Sequence, residues 1–112
     1  MNDSLTKENI MENELALLLE NIKADFAKMK YSTSHMEEFN RGLSYTVGQK
    51  YIKVISDDSV WGFIVNVEND KKFAKGDILK AAGWKTPARN SARGNILDGG
   101  YRINWTGPHY LY

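Results

Sequence analysis

Hydrophobic residues in this chain keep two different periods, and the switch between them constrains the fold more than any single motif. From Thr6 to Met29 the period is helical. Met11, Leu15, Leu18, Ile22, Phe26 and Met29 recur at steps of 4, 3, 4, 4 and 3, which holds them on one face. No Gly or Pro interrupts the span, and Glu8, Glu12 and Glu14 sit near its amino end, where the helix dipole favours negative charge. Leu17 and Leu19 widen the stripe beyond a two-position seam, so the pattern predicts docking on a sheet or a partner rather than a long coiled coil.

After the polar stretch Tyr31 to Asn40 the period becomes two. Tyr45 to Val47 reads as a short strand, and Tyr51 to Ser56 with Val60 to Val67 reads as a hairpin joined by Asp57-Asp58-Ser59. Trp61, Phe63, Val65 and Val67 share one strand face, while Gly62, Ile64 and Asn66 share the other. The first set is expected to be core, set against the long helix or the alternating Tyr101, Ile103 and Trp105, so truncating Ile64 should matter less than truncating Phe63. Thr106-Gly107-Pro108 breaks the last strand before the closing residues His109 to Tyr112.

Thr86 to Gly94 reads as a two-turn helix with Thr86 as cap, Pro87 in the first turn and Gly94 past the end. Arg89 and Arg93 then lie four apart on it, where like charges cost roughly 0.2–0.5 kcal/mol, and the helix holds no carboxylate to offset them. They require an acceptor elsewhere. It is either internal, for Arg89 the acidic arm, or an external phosphate. Together these elements predict an α+β fold: a long N-terminal helix, a small, curved, mainly antiparallel sheet or part-barrel, and a short helix near 87–93. At 112 residues the chain is expected to form a single domain, 1–112, with a helical arm (6–29) and a β-rich basic body (43–112).

Charge divides along the same line. Residues 1–70 carry 7 Lys/Arg against 12 Asp/Glu, and residues 71–112 carry 8 against 2. The absence of cysteine excludes disulfides and thiolate metal sites. No apolar run approaches the ~18 residues of a membrane helix. Met1-Asn2-Asp3-Ser4 lacks the regions of a signal peptide, so a cytoplasmic protein without membrane partners is expected.

The run from Gly76 to Ile96, with Lys50-Tyr51-Ile52-Lys53-Val54-Ile55, Ser59-Val60-Trp61-Gly62-Phe63-Ile64 and Gly99-Gly100-Tyr101, resembles small proteins of marine tailed bacteriophages over residues 43–108. The resemblance implies a phage or host-cell origin. It leaves the helical arm outside and carries no activity and no site residue.

Catalytic signatures are absent from the sequence. His35 and His109 lie in different segments without a second ligand at metal spacing, and Gly83-Trp84-Lys85-Thr86 lacks the glycine spacing of a phosphate loop. Asp57-Asp58 and Glu37-Glu38 read as solvated pairs. A noncatalytic binding module without cofactor or metal is therefore expected. One reading is protein–protein or self-association through Met11, Leu15, Leu18 and Ile22, giving a homodimer or a complex with a phage or host protein. The alternative is a nucleic-acid-binding module in which Arg89, Arg93, Lys85 and Arg102 meet phosphates and Trp84 offers a stacking ring.

Overall fold

A computed structural model describes residues 3–108, so His109 and the closing residues lie outside the described part. The chain begins with α1 (Asp3–Ala27) and continues through α2 (Thr33–Gly42) into β1 (Leu43–Val47), β2 (Tyr51–Ser56), β3 (Ser59–Val65) and β4 (Ile78–Leu79). These four strands form one antiparallel sheet in the order β1-β2-β3-β4. Four two-residue strands follow, β5 (Gly94–Asn95) paired with β6 (Gly100–Tyr101) and β7 (Ile103–Asn104) with β8 (Gly107–Pro108). The α+β class with a small antiparallel sheet is the expected one, and the sheet is not closed. No helix of the described residues is long and apolar enough to cross a membrane.

The helical stripe finds its cover within the chain. Met11, Leu15, Leu18, Ile22 and Phe26 are buried, the first four in one cluster with Ile52, Val54, Ile64 and Ile78 from the sheet. Leu19 packs at its margin, whereas Leu17 is exposed. The helix stops two residues short of the expected Met29, and Lys30 turns the chain with φ 57°. The stretch read as merely polar holds α2: Ser32 caps it by accepting from the His35 N–H, and Phe39 stacks on Phe26 with ring centroids 4.0 Å apart. No residue of α2 is fully buried; its apolar face consists of Met36 and Phe39, both half-buried, in an otherwise polar stretch.

Sheet faces differ from the expected ones at one residue. The pairing shifts between Val54 and Ile55, opposite Val60 and Gly62, and leaves Trp61 as the extra residue of a bulge. Trp61 thereby joins Ile64 and Val54 on the helix side, where its indole N–H donates to the Asn104 carbonyl at 2.9 Å. Gly62 beside it admits a neighbour that a side chain would exclude, since a Cβ there would lie 3.0 Å from the Leu79 carbonyl oxygen. Phe63 and Val65 do share a face, but not with the long helix or the Tyr101–Trp105 segment. Phe73 and Leu79, with Ala81 and Ala92 at the margin, cover them. Tyr101, Ile103 and Trp105 pack against the helix-side cluster instead.

The short helix expected near 87–93 does not form. Pro87 bridges to Ala81, the Ala88 N–H donates to the Lys80 carbonyl and the Arg93 N–H to the Ile78 carbonyl. These bonds lay the segment along the outside of β4 as extended chain. Sheet pairing at two points outweighs a local helical preference of only two turns.

Both faces of β3 are thus buried, with Phe63 2% and Ile64 0% exposed. Phe63→Ala should cost about 3–5 kcal/mol and Ile64→Ala about 2–5 kcal/mol, against a total stability of about 5–15 kcal/mol for such a domain. Chemical denaturation of the two variants checks this: an Ile64→Ala loss below about 1 kcal/mol would show its face to be open.

Candidate functional site

The segment between β3 and β5 covers the outer face of the sheet with no helix, and the Asp70 carboxylate ties its start to its later part. Asp70 lies in the turn after β3, and its Oδ1 accepts from the backbone N–H groups of Lys72 and Phe73 at 2.8 and 2.9 Å. Such a turn is what Asp favours, because its short side chain reaches the amides two and three residues on. The same oxygen accepts from Arg89 Nη2 at 2.8 Å. Arg89 Nη1 donates to the Tyr51 hydroxyl at 2.5 Å, and its guanidinium lies over the Phe73 ring, 4.9 Å from the centroid. Lys72 Nζ closes the circuit by donating to the Arg89 carbonyl at 2.7 Å.

Of the two kinds of acceptor open to Arg89 the internal one is taken, and it is Asp70 rather than the acidic arm. Asp70 retains 1% of its side-chain exposure and Arg89 35%. The hydrogen bond from Arg89, followed by those from the Lys72 and Phe73 amides, holds the Asp70 carboxyl well below the usual carboxylate range. Arg89 is in turn raised above its ordinary value by its bonds to Asp70 and Tyr51.

Beside this pair opens a cleft of about 500 Å³, lined by Gln49, Lys50, Val67, Asn69, Asp70, Lys71 and Arg89. Of the five residues named for anion binding, only Arg89 reaches it. Arg93 is engaged through its backbone with Ile78, and its Nε and Nη1 are buried without a hydrogen-bond partner. Lys85 is exposed in the loop after β4. Trp84 in that loop is 51% exposed, with Lys53 Nζ 4.5 Å from its ring centroid. Arg102 lines a different cleft with Asn21, Asp25 and Lys28 of the helical arm. The proposed association face fares differently again: Met11, Leu15, Leu18 and Ile22 are 5%, 1%, 0% and 0% exposed and face the chain's own sheet. They cannot meet a partner without unfolding the core.

Sequence reasoning missed Asp70, Tyr51, Lys50 and Lys71. The turn at Asn69-Asp70 is legible, but its partner stands 19 residues on, beyond any local spacing. His35 serves the α2 cap, its Nδ1 3.1 Å from Ser32 Oγ. Among the described residues no group of three or more His, Cys, Asp or Glu is placed to hold a metal ion.

The Asp70 pair sets a pH dependence. Its folded carboxyl ionises below the 3.8 of an unperturbed Asp, so the stabilisation is fully present above about pH 4 and is lost as the pH falls toward the folded value. Asp70→Asn should lower the denaturation midpoint at pH 7 and flatten its decline between pH 4 and pH 2. Denaturant titrations of both proteins across that range test it; parallel curves would show that the pair contributes nothing to folding.

No curated protein and no solved structure matches the chain. One protein-family model does, described as a family of unknown function (DUF7717), and its match runs over residues 2–112. It takes in the helical arm that the phage-protein resemblance left outside and lends that resemblance's implied origin no support. Covering nearly the whole sequence, the match makes this chain a member of that family of unknown function, DUF7717.

Proposed function

We propose that this chain is a noncatalytic binding module that associates through the open edge of β1, with a second copy of itself as partner. The unpaired backbone of that strand carries the reading. The Gly48 N–H donates to the Tyr51 carbonyl and the Asp57 N–H to the Gly42 carbonyl. With the register between them, these bonds turn residues 42, 44, 46 and 48 toward β2. Leu43, Tyr45 and Val47 therefore aim their N–H and C=O groups away from the sheet. The Leu43 N–H is used by the Asn40 carbonyl at the end of α2. Tyr45 and Val47 keep theirs without a backbone partner among the described residues.

β1 has none of the features that keep strand edges apart. Leu43-Ser44-Tyr45-Thr46-Val47 contains no charge, Gly or Pro, and Val47 is 66% exposed. The β4 edge, by contrast, is closed by the extended 87–95 segment. Two copies of β1 running antiparallel about Tyr45 satisfy each other. The two Tyr45 residues exchange N–H···O bonds, and each Val47 N–H meets the Leu43 carbonyl of the other copy. Every outward donor of the strand is then used, in the self-complementary manner of a two-fold interface. A pairing this short buries little surface, so the dimer is weak and concentration-dependent.

This places association on a different element from the buried helix stripe. The nucleic-acid reading is the less favoured one. It asked for Arg89 and Arg93 side by side on a helix, and Arg89 instead meets Asp70.

Sedimentation from micromolar to near-millimolar protein should reveal a monomer–dimer equilibrium. Val47→Lys should weaken it at least about tenfold, because it sets a charged side chain beside Leu43 of the other copy on the joined edge, while leaving the circular dichroism unchanged. Leu17→Lys, on the exposed side of α1, should leave it intact. A monomer at every concentration, or a dimer dissolved by Leu17→Lys and not by Val47→Lys, overturns the proposal.

A further inference from the structure

The cleft beside Asp70 has a composition that the folding of its surroundings does not explain. Its single carboxylate is consumed: Asp70 Oδ1 is shared among two backbone amides and Arg89, and the side chain is 1% exposed. Lys50 and Lys71 stand around it, and among the described residues neither forms an ion pair. The Lys50 ammonium lies over the ring of its neighbour Tyr51, 5.6 Å from the centroid. Arg89 has spent one donor of Nη1 and one of Nη2, and a third of its side chain remains open to the cleft. Gln49 and Asn69 add two side-chain amides, and Val67 an apolar wall.

Two lysines and the unspent N–H donors of Arg89 thus converge on a concavity in which the Asp70 and Arg89 charges offset each other, leaving the lysines as the excess positive charge. The guanidinium cannot swing away, because Tyr51, Asp70 and the Phe73 ring fix it on three sides. Fixed donors beside mobile ammonium groups suit a compact, multiply charged oxyanion. A cleft of about 500 Å³ falls within the usual range of roughly 300–1,000 Å³ for small-ligand sites and exceeds what a bare phosphate fills. The side-chain amides and Val67 supply the polar and apolar contacts that a group attached to that phosphate would meet.

We infer that this cleft is a binding site for a small phosphate ester of nucleotide size, held through its phosphate by Lys50, Lys71 and Arg89. The site lies beyond the end of the β1 edge, and one copy of the chain carries all of its lining residues. It also differs from a nucleic-acid track, since Arg93 and Arg102 lie outside it.

Backbone amide shifts in two-dimensional NMR read the site directly, with adenosine monophosphate, adenosine and inorganic phosphate as the added compounds. Adenosine monophosphate should shift the amides of Gln49, Lys50, Asn69, Lys71 and Arg89 in a saturable way. Adenosine should bind at least about tenfold more weakly, because the charge-assisted bonds are lost. Inorganic phosphate should shift the same amides and compete. Lys71→Gln and, separately, Lys50→Gln should each weaken adenosine monophosphate binding several-fold, and Arg102→Gln on the other side should not. If adenosine binds as well as its monophosphate, if Arg102→Gln weakens binding as much as Lys71→Gln, or if no compound shifts these amides at millimolar concentration, the inference fails. A short oligonucleotide that binds far more tightly than the mononucleotide would also overturn it, in favour of a polyanion surface.

Discussion

The ion pair between Asp70 and Arg89 holds together the part of the molecule that has no regular structure. A four-stranded open sheet with an apolar central strand must be covered on both faces. On one face α1 does this with a continuous helical stripe, and no further device is needed. On the other, residues 66–77 and 80–93 must lie flat as loop and extended chain on either side of β4, and their backbone groups need partners away from a helix. Asp70 takes two of those amides, ties Arg89 to them, and through Arg89 reaches Tyr51 on β2. One carboxylate therefore links a turn, the strand that bears Tyr51, and a segment 19 residues downstream. Phe73 sits beneath the guanidinium and closes the apolar cluster around Phe63 and Val65.

This manner of covering the sheet decides which edge stays open. The segment carrying Arg89 runs on beside β4, and its bonds to Lys80 and Ile78 occupy that edge. At the other edge β1 follows α2 directly, and α2 bonds only the Leu43 N–H. The chain thus spends its irregular length on β4 and leaves β1 with outward donors. Because Arg89 is drawn into the fold by Asp70, the charge asymmetry along the sequence is in part an internal arrangement rather than a surface field.

How far the sequence discloses this varies by element. The helical stripe Met11, Leu15, Leu18 and Ile22 and the strands Tyr51–Ser56 and Ser59–Val65 are legible because burial on one helix face, or on alternate strand positions, writes a period into the residues. The bulge at Trp61 writes none: an aromatic residue looks the same on either face, and only the partner strand reveals the shift. α2 is hidden because its apolar face is only two half-buried residues, Met36 and Phe39, and the 87–93 segment misleads because its helix signals are real but weaker than two sheet bonds. The width of the α1 stripe is compatible with a sheet or a partner as its cover; the sheet and the β7 region cover it apart from Leu17, with Asp25 accepting the Trp105 backbone N–H and Asn21 donating to the Tyr101 hydroxyl. The candidate site was half legible. Arg89 stands out as a cation without a local acceptor, whereas Asp70, Lys50 and Lys71 become one site only through contacts distant in sequence.

The β1 edge and the phosphate cleft are joined by a short, well-bonded turn. Gly48, Gln49 and Lys50 connect β1 to β2: the Gly48 N–H donates to Tyr51, and its carbonyl accepts from the Asn66 side chain. The Lys50 carbonyl accepts from the Asn66 N–H, so both ends of the turn are pinned to the residue that follows β3. Val47, the last residue of the edge, therefore stands two positions from the first residue lining the cleft. A two-fold axis perpendicular to the sheet keeps the outer faces of both copies on the same side. Since the two strands run antiparallel, the two clefts then fall at opposite ends of the joined edge. Pairing would draw Val47 into a continuous sheet and restrain the turn that carries Gln49 and Lys50. By reciprocity of binding free energies, a ligand that orders this turn must favour the paired state by the same factor by which pairing favours the ligand.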